Sequence, residues 1–266
     1  ADPEAVGATT TVESLDTTSA ALTVRRSGIL DLLYCHTSGA VKIRTSRDQG
    51  RTFGAATTVL ASGYSQVTSA WDEGSGLLHA LPYRDADPTW VAVAGTLDTA
   101  GSTWGFSSPS VVATGALKAR GQVRRTAEGR LTFVYLTGAT SPGTLAMREC
   151  RAPKADGTGA WTALTATSLT TAQTTFALAE ADGMAVLLIY SATADKWQVR
   201  VGSLNTAADT WTFAAGVDVV SSTNEAQADV IRNPDGRYLF AYVPSSGGLG
   251  HVRAKNLRSD GVGEWN

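Results

Sequence analysis

Apolar and polar residues alternate along this chain in short runs, and the three-to-four spacing of an amphipathic helix is almost absent. Thr, Val, Ser, Gly and Ala dominate, and Gly, Asp and Asn punctuate the runs, so the pattern predicts antiparallel strands joined by turns. Five segments repeat one arrangement. Each opens on a short strand, predicted at 22–25, 67–71, 122–125, 175–179 and 228–232. A turn glycine follows at Gly28, Gly76, Gly129, Gly183 and Gly236, 48 to 54 residues apart. Glycine suits these positions because tight hairpin turns need positive φ. A more hydrophobic strand then ends near Tyr34, Tyr83, Tyr135, Tyr190 or Tyr242. The third strand alternates, as in Val41-Lys42-Ile43-Arg44 and Trp197-Gln198-Val199-Arg200. After a polar turn an aromatic opens a fourth strand: Phe53, Trp104, Trp161, Trp211 and Trp265.

Four strands in a repeat of about 50 residues is the signature of a propeller blade. The predicted fold is therefore all-β: a five-bladed β-propeller of four-stranded antiparallel blades forming a single domain over 1–266. The blades are expected at 20–63, 64–115, 116–171, 172–223 and 224–266. The last repeat stops one residue past its aromatic, and an N-terminal strand within 6–15 is expected to complete it and close the ring. Each blade is apolar on both faces, so the tyrosines and fourth-strand aromatics are expected to pack between blades.

Charge and cysteine narrow the function. With 22 basic against 24 acidic residues the formal charge is −2, which gives no electrostatic case for nucleic acid. No run approaches the 18 apolar residues of a membrane-spanning helix. Cys35 and Cys150 fall in different repeats and are expected to be reduced and partly buried. His36, His79 and His251 show no metal-ligand spacing, and neither metal nor cofactor is called for.

One motif carries a family resemblance. Ser46-Arg47-Asp48-Gln49-Gly50-Arg51-Thr52-Phe53 matches the Asp-box, S-x-D-x-G-x-T-W/F, with looser versions at Asp98–Trp104, Asn205–Trp211 and Ser259–Trp265. The chain thus resembles the sialidase-like (BNR, Asp-box) β-propellers. The resemblance implies that Ser46, Asp48, Gly50, Thr52 and Phe53 are structural and lie on the rim opposite the binding face. It also implies, for an active sialidase, an arginine cluster clamping a carboxylate, a Tyr/Glu nucleophile pair and an acidic proton donor. The family's Arg-Ile-Pro signature has no counterpart, because Arg25 and Arg26 lead into a turn. The arginines at first-strand ends (Arg25, Arg124 or Arg125, and Arg232) are expected on the Asp-box rim, solvated or bridging blades. The carboxylates expected on the ligand side, Asp16, Asp85, Asp87, Asp195 and Glu225, form no evident acid/base pair. A non-catalytic member is therefore expected.

The ligand face is expected where second-to-third-strand loops meet the connections between blades. Candidate ligand-binding residues there are Trp197, Trp90, Tyr64, Arg84, Asp85, Asp195, His36 and His251, with Trp90 and Trp197 offered as stacking platforms for a sugar. The expected function is carbohydrate or surface binding, as a receptor-binding or attachment module outside the cell or on a virion. The partner would be a glycan or cell-surface receptor. Alternatives are a structural propeller in a larger assembly such as a phage tail tip or fibre, and a sialidase-like exo-glycosidase.

Overall fold

The computed structural model describes residues 17–98, 103–116, 121–126, 129–138, 143–154, 159–167, 173–181, 184–191, 196–205, 210–221, 228–232, 238–242 and 251–255. The first repeat forms β1 (Thr17–Val24), β2 (Leu30–His36), β3 (Val41–Ser46) and β4 (Thr57–Leu60). The second forms β5 (Tyr64–Asp72), β6 (Leu77–Arg84), β7 (Thr89–Leu97), β8 (Trp104–Phe106) and β9 (Ser110–Thr114). The third forms β10 (Gln122–Arg125), β11 (Leu131–Thr137), β12 (Thr144–Cys150) and β13 (Trp161–Thr167). The fourth forms β14 (Gln173–Ala181), β15 (Met184–Ser191), β16 (Lys196–Asn205), β17 (Thr210–Phe213) and β18 (Val217–Ser221). The fifth shows β19 (Ala228–Arg232), β20 (Tyr238–Tyr242) and β21 (His251–Lys255).

Within each repeat the first three strands pair antiparallel in chain order, as the alternation predicts. Gly28, Gly76 and Gly129 take φ of 82°, 67° and 84° at the first hairpin, the conformation that favours glycine there. Two features of the outer strands differ from expectation. In the second and fourth repeats the outermost position holds two segments: β8 and β9 both pair with β7, and β17 and β18 both pair with β16. In the first repeat β4 begins at Thr57, four residues after Phe53, because the preceding turn ends with Gly54 donating to the Thr45 carbonyl.

The described strands fall into four sheets rather than five, because β13 pairs in parallel with β17 and joins the third and fourth repeats edge to edge. This pairing covers two edges that would otherwise present free backbone groups. The expected strand at 6–15 and Trp265 lie outside the described residues.

Four apolar clusters hold consecutive repeats face to face. Leu33 and Ile43 meet Val67, Leu78 and Val91. Leu81 and Trp90 meet Phe133 and Leu131. Val134 and Leu145 meet Phe176, Leu187 and Trp211. Ala177 and Val199 meet Val230 and Phe240. The first strands accordingly pack in order, β1 on β5, β5 on β10, β10 on β14 and β14 on β19. This is consistent with the blade packing of a β-propeller. Cys35 and Cys150 are both free thiols, fully buried rather than partly so. Gly95 and Gly202 sit opposite Phe106 and Phe213, where a Cβ would come within 2.4 Å of the ring; their bare backbone lets each phenylalanine lie flat on the third strand.

On the hairpin rim, arginines bridge the sheets. Arg25 is buried against Asp31 at 2.6 Å and lies over the Trp71 ring of the next repeat at 3.8 Å. Thr45 donates to Asp31 and receives the Trp104 indole N–H, so one buried network ties the first two repeats. Arg125 of the third repeat pairs with Asp72 of the second at 2.6 Å. His79 lies buried near that pair. Burial is the main cause that lowers its pKa from 6.5 to about 4, the Asp72 carboxylate opposes this, and Arg125 adds to it. An imidazole harder to protonate when folded stabilises the fold fully above pH 6.5, and that contribution is lost as pH falls toward 4. We predict an acid destabilisation of about 3 kcal/mol across this window, read as melting temperature against pH. His79→Gln should flatten the slope, and an equal slope in the variant would remove His79 as its source.

Candidate functional site

The turn at 46–53 is held by side chains within it. Asp48 Oδ1 accepts from the Ser46 hydroxyl and the Thr52 N–H, each at 2.8 Å, and Oδ2 accepts from the Thr52 hydroxyl at 2.6 Å. The Ser46 hydroxyl oxygen in turn accepts the Gly50 N–H. These bonds lower the Asp48 pKa to about 2. Gln49 and Gly50 both take positive φ, 61° and 89°. Phe53 is half-buried. A carboxylate so fully engaged is a turn former and not an acid donor.

At the opposite end, second-to-third-strand loops abut the connections between repeats. Tyr64 N–H donates to the Gly39 carbonyl, Asp85 N–H to Gly63 and Ala116 N–H to Pro88. Four candidate residues meet at this edge of the first two repeats. Asp85 is exposed and accepts from the Ser65 hydroxyl at 2.8 Å. Its charge also helps raise the pKa of Tyr83, after burial, and that of Cys35, which burial drives to about 12. Arg84 is held by both carboxylate oxygens of Asp87. Tyr64 is mostly buried beside Leu33 and Val67. His36 Nδ1 accepts the Ser38 N–H at 3.1 Å.

The two stacking candidates are not on this surface. Trp90 is 1% and Trp197 0% exposed. Each lies near the start of a third strand opposite the recurring tyrosine of its own repeat, edge to face with Tyr83 at 5.4 Å and Tyr190 at 5.6 Å. Each ring then fills the next interface, against Phe133 and Phe240. Packing therefore excludes a sugar from both rings. Asp195 and the His251 side chain lie outside the described residues.

A cavity of ≈ 390 Å³ opens between the first strands of four repeats. It is lined by Thr18, Ser19 and Leu22 of β1, Gln66, Thr68 and Ser69 of β5, Gln122 and Arg124 of β10, and Asp229 of β19. Each first strand is hydrogen-bonded to a partner strand on one side only, so its other edge needs partners from elsewhere. Polar side chains supply them across the repeats. The Ser19 hydroxyl accepts the Val67 N–H and that of Thr68 accepts the Val123 N–H, both at 3.2 Å. Gln122 accepts the Leu178 N–H, and Arg124 Nε donates to the Leu178 carbonyl at 3.1 Å. The remaining nitrogens of Arg124 reach the Val123 carbonyl at 3.2 Å and Asp229 at 3.4 Å. Ser65 links cavity and loop edge, its carbonyl accepting from Thr18 and its hydroxyl donating to Asp85.

Of the two neighbouring arginines at the third repeat's first-strand end, Arg125 bridges repeats on the hairpin rim, as Arg25 does, while Arg124 lines the cavity. Asp229 is a carboxylate that sequence reasoning missed, together with Ser19, Gln66, Thr68 and Gln122. The available signal was the run of hydroxyl and amide residues within first strands that are otherwise apolar. The described lining holds one arginine, one carboxylate and no tyrosine, so it does not assemble an arginine clamp with a Tyr/Glu pair.

No protein-family model matches the chain, and no curated protein does. Solved structures do resemble it. A mutant of NanB sialidase from Streptococcus pneumoniae superposes with a TM-score of 0.66 at 11% identity, over 94% of this chain and 60% of that one. A mutant of Trypanosoma rangeli sialidase displaying trans-sialidase activity gives 0.62 at 13% identity, over 90% and 46%. The SapL1 lectin in complex with alpha methyl fucoside gives 0.59 at 10% identity, over 93% and 77%. The chain spans about half to three-fifths of the length of these two sialidases. The fold is therefore a sialidase-like β-propeller, and identities this low carry the likeness no further than fold.

The clasp between first strands makes a direct prediction. Thr68→Val keeps the shape but strands the buried Val123 N–H, and should cost about 1–3 kcal/mol in urea unfolding. An unchanged midpoint would mean that this hydroxyl does not hold the second repeat to the third.

Proposed function

We propose that this protein is a non-catalytic, glycan-binding five-bladed propeller that serves as a receptor-binding or attachment module on an exposed surface, extracellular or on a virion. Each sequence repeat is one blade of a single domain, and the turn at 46–53 is an Asp-box on the rim away from the ligand. The ligand enters the cavity between the first strands from the loop edge, where Tyr64, Arg84, Asp85 and His36 lie, with Asp195 and His251 as further contacts. Trp90 and Trp197 serve as packing between blades.

The observation that carries this reading is the state of Arg124. Each of its three nitrogens already donates to a protein acceptor, which supports a structural role over the carboxylate clamp of a sialidase arginine. The lectin among the structural neighbours supports a binding role on this fold. The sialidases among them favour a second reading, an exo-glycosidase. A glycan array combined with a fluorogenic sialoside assay separates the two. We expect selective glycan binding without turnover. Turnover would replace the binding reading with the enzymatic one, and a blank array without turnover would point to a structural module of a larger assembly such as a phage tail.

Ring closure by the segment at 6–15 belongs to the same reading. Leu22 and Val24 of β1 are 57% and 63% exposed, beside their cross-strand partners Leu32 and Leu30. That apolar face needs a cover, which the last blade would provide. Deleting residues 1–15 should lower the melting temperature sharply, and an unchanged melt would sink closure by this strand.

A further inference from the structure

We infer that the cavity selects neutral sugars over carboxylate-bearing ones; the inference rests on the glycan-binding reading and names its ligand class. At ≈ 390 Å³ the cavity has the size of a small-molecule site. Among the described lining residues the charges are Arg124 and Asp229, paired at 3.4 Å, so the described lining is electrically balanced. A sugar carboxylate entering here meets Asp229 as a like charge, and the guanidinium that would offset it is held by Asp229 and two backbone carbonyls. A neutral sugar faces no such repulsion. Gln66 projects into the cavity with no hydrogen bond to any described residue, leaving an amide donor and acceptor for ring hydroxyls.

The pair also supplies the test. Asp229→Asn removes the neutralising charge while the Leu178 and Val123 carbonyls still hold Arg124, so the cavity becomes cationic. Gln66→Lys makes the same change at a side chain with no internal bond, which keeps the test independent of the ion pair. Calorimetry would compare methyl α-L-fucoside and methyl β-D-galactoside with the methyl α-glycoside of N-acetylneuraminic acid and with methyl glucuronide. The wild type should favour the neutral pair by about tenfold or more, and each variant should move the ratio toward the acidic pair by about tenfold, one charge interaction of about 1.4 kcal/mol. A wild type that prefers the acidic sugars overturns the inference and leaves glycan binding standing. A neutral preference that neither variant shifts overturns the electrostatic selection. Binding of no sugar overturns both the inference and the function on which it rests.

Discussion

Trp90 lies edge-on to Tyr83 of its own repeat and to Phe133 of the next, and Trp197 repeats the arrangement with Tyr190 and Phe240. These contacts express the constraint on which the rest of the molecule depends: a strand repeat that is apolar on both faces cannot be stable alone. Burying one such aromatic side chain contributes about 1.5–3 kcal/mol, and every interface contains several. Each repeat therefore borrows half of its core from each neighbour. Leu22 and Val24 lie on the face of the first sheet turned away from the second repeat, and are two of the three large apolar residues exposed among the described ones, Val111 of β9 being the other.

Face-to-face packing solves one problem and creates another. It brings the first strands of successive repeats close together without hydrogen-bonding them to each other, so their inner edges carry unmatched backbone groups. Ser19, Thr68, Gln122 and Arg124 answer this by reaching across to the next first strand. The polar lining of the cavity is thus required by the architecture before any ligand is considered. What function adds is the surplus: Gln66, which bonds to nothing described, and the charge balance set by Asp229.

The two ends of the molecule differ in what their charges do. On the hairpin rim, Arg25, paired with Asp31 of its own repeat, lies over Trp71 of the second, and Arg125 pairs with Asp72 across repeats. Removing one partner of such a buried pair costs more than the pair itself contributes, so these residues guard geometry. On the loop edge, Arg84, Asp85 and Asp87 are exposed or half-exposed, and their pairing is worth little to stability. Charge at this end can change with little structural penalty, which is the condition under which ligand contacts can diversify on one fold.

The strand alternation and the turn glycines at Gly28, Gly76 and Gly129 were readable along the chain, because alternation and positive-φ turns are local properties. The turn around Asp48 was legible for the same reason, since all of its partners lie within four residues. The fate of Trp90 and Trp197 was not. An indole at the start of a third strand looks the same in sequence whether it faces a sugar or the next repeat, and only the stacking angle of the sheets turned both inward. Nor could the chain reveal that Arg124 and Asp229, 105 residues apart, share a cavity, or that β13 would pair with β17. Local pattern determined the strands and turns; which side chains meet was decided by how the repeats stack, a long-range arrangement that no single repeat contains.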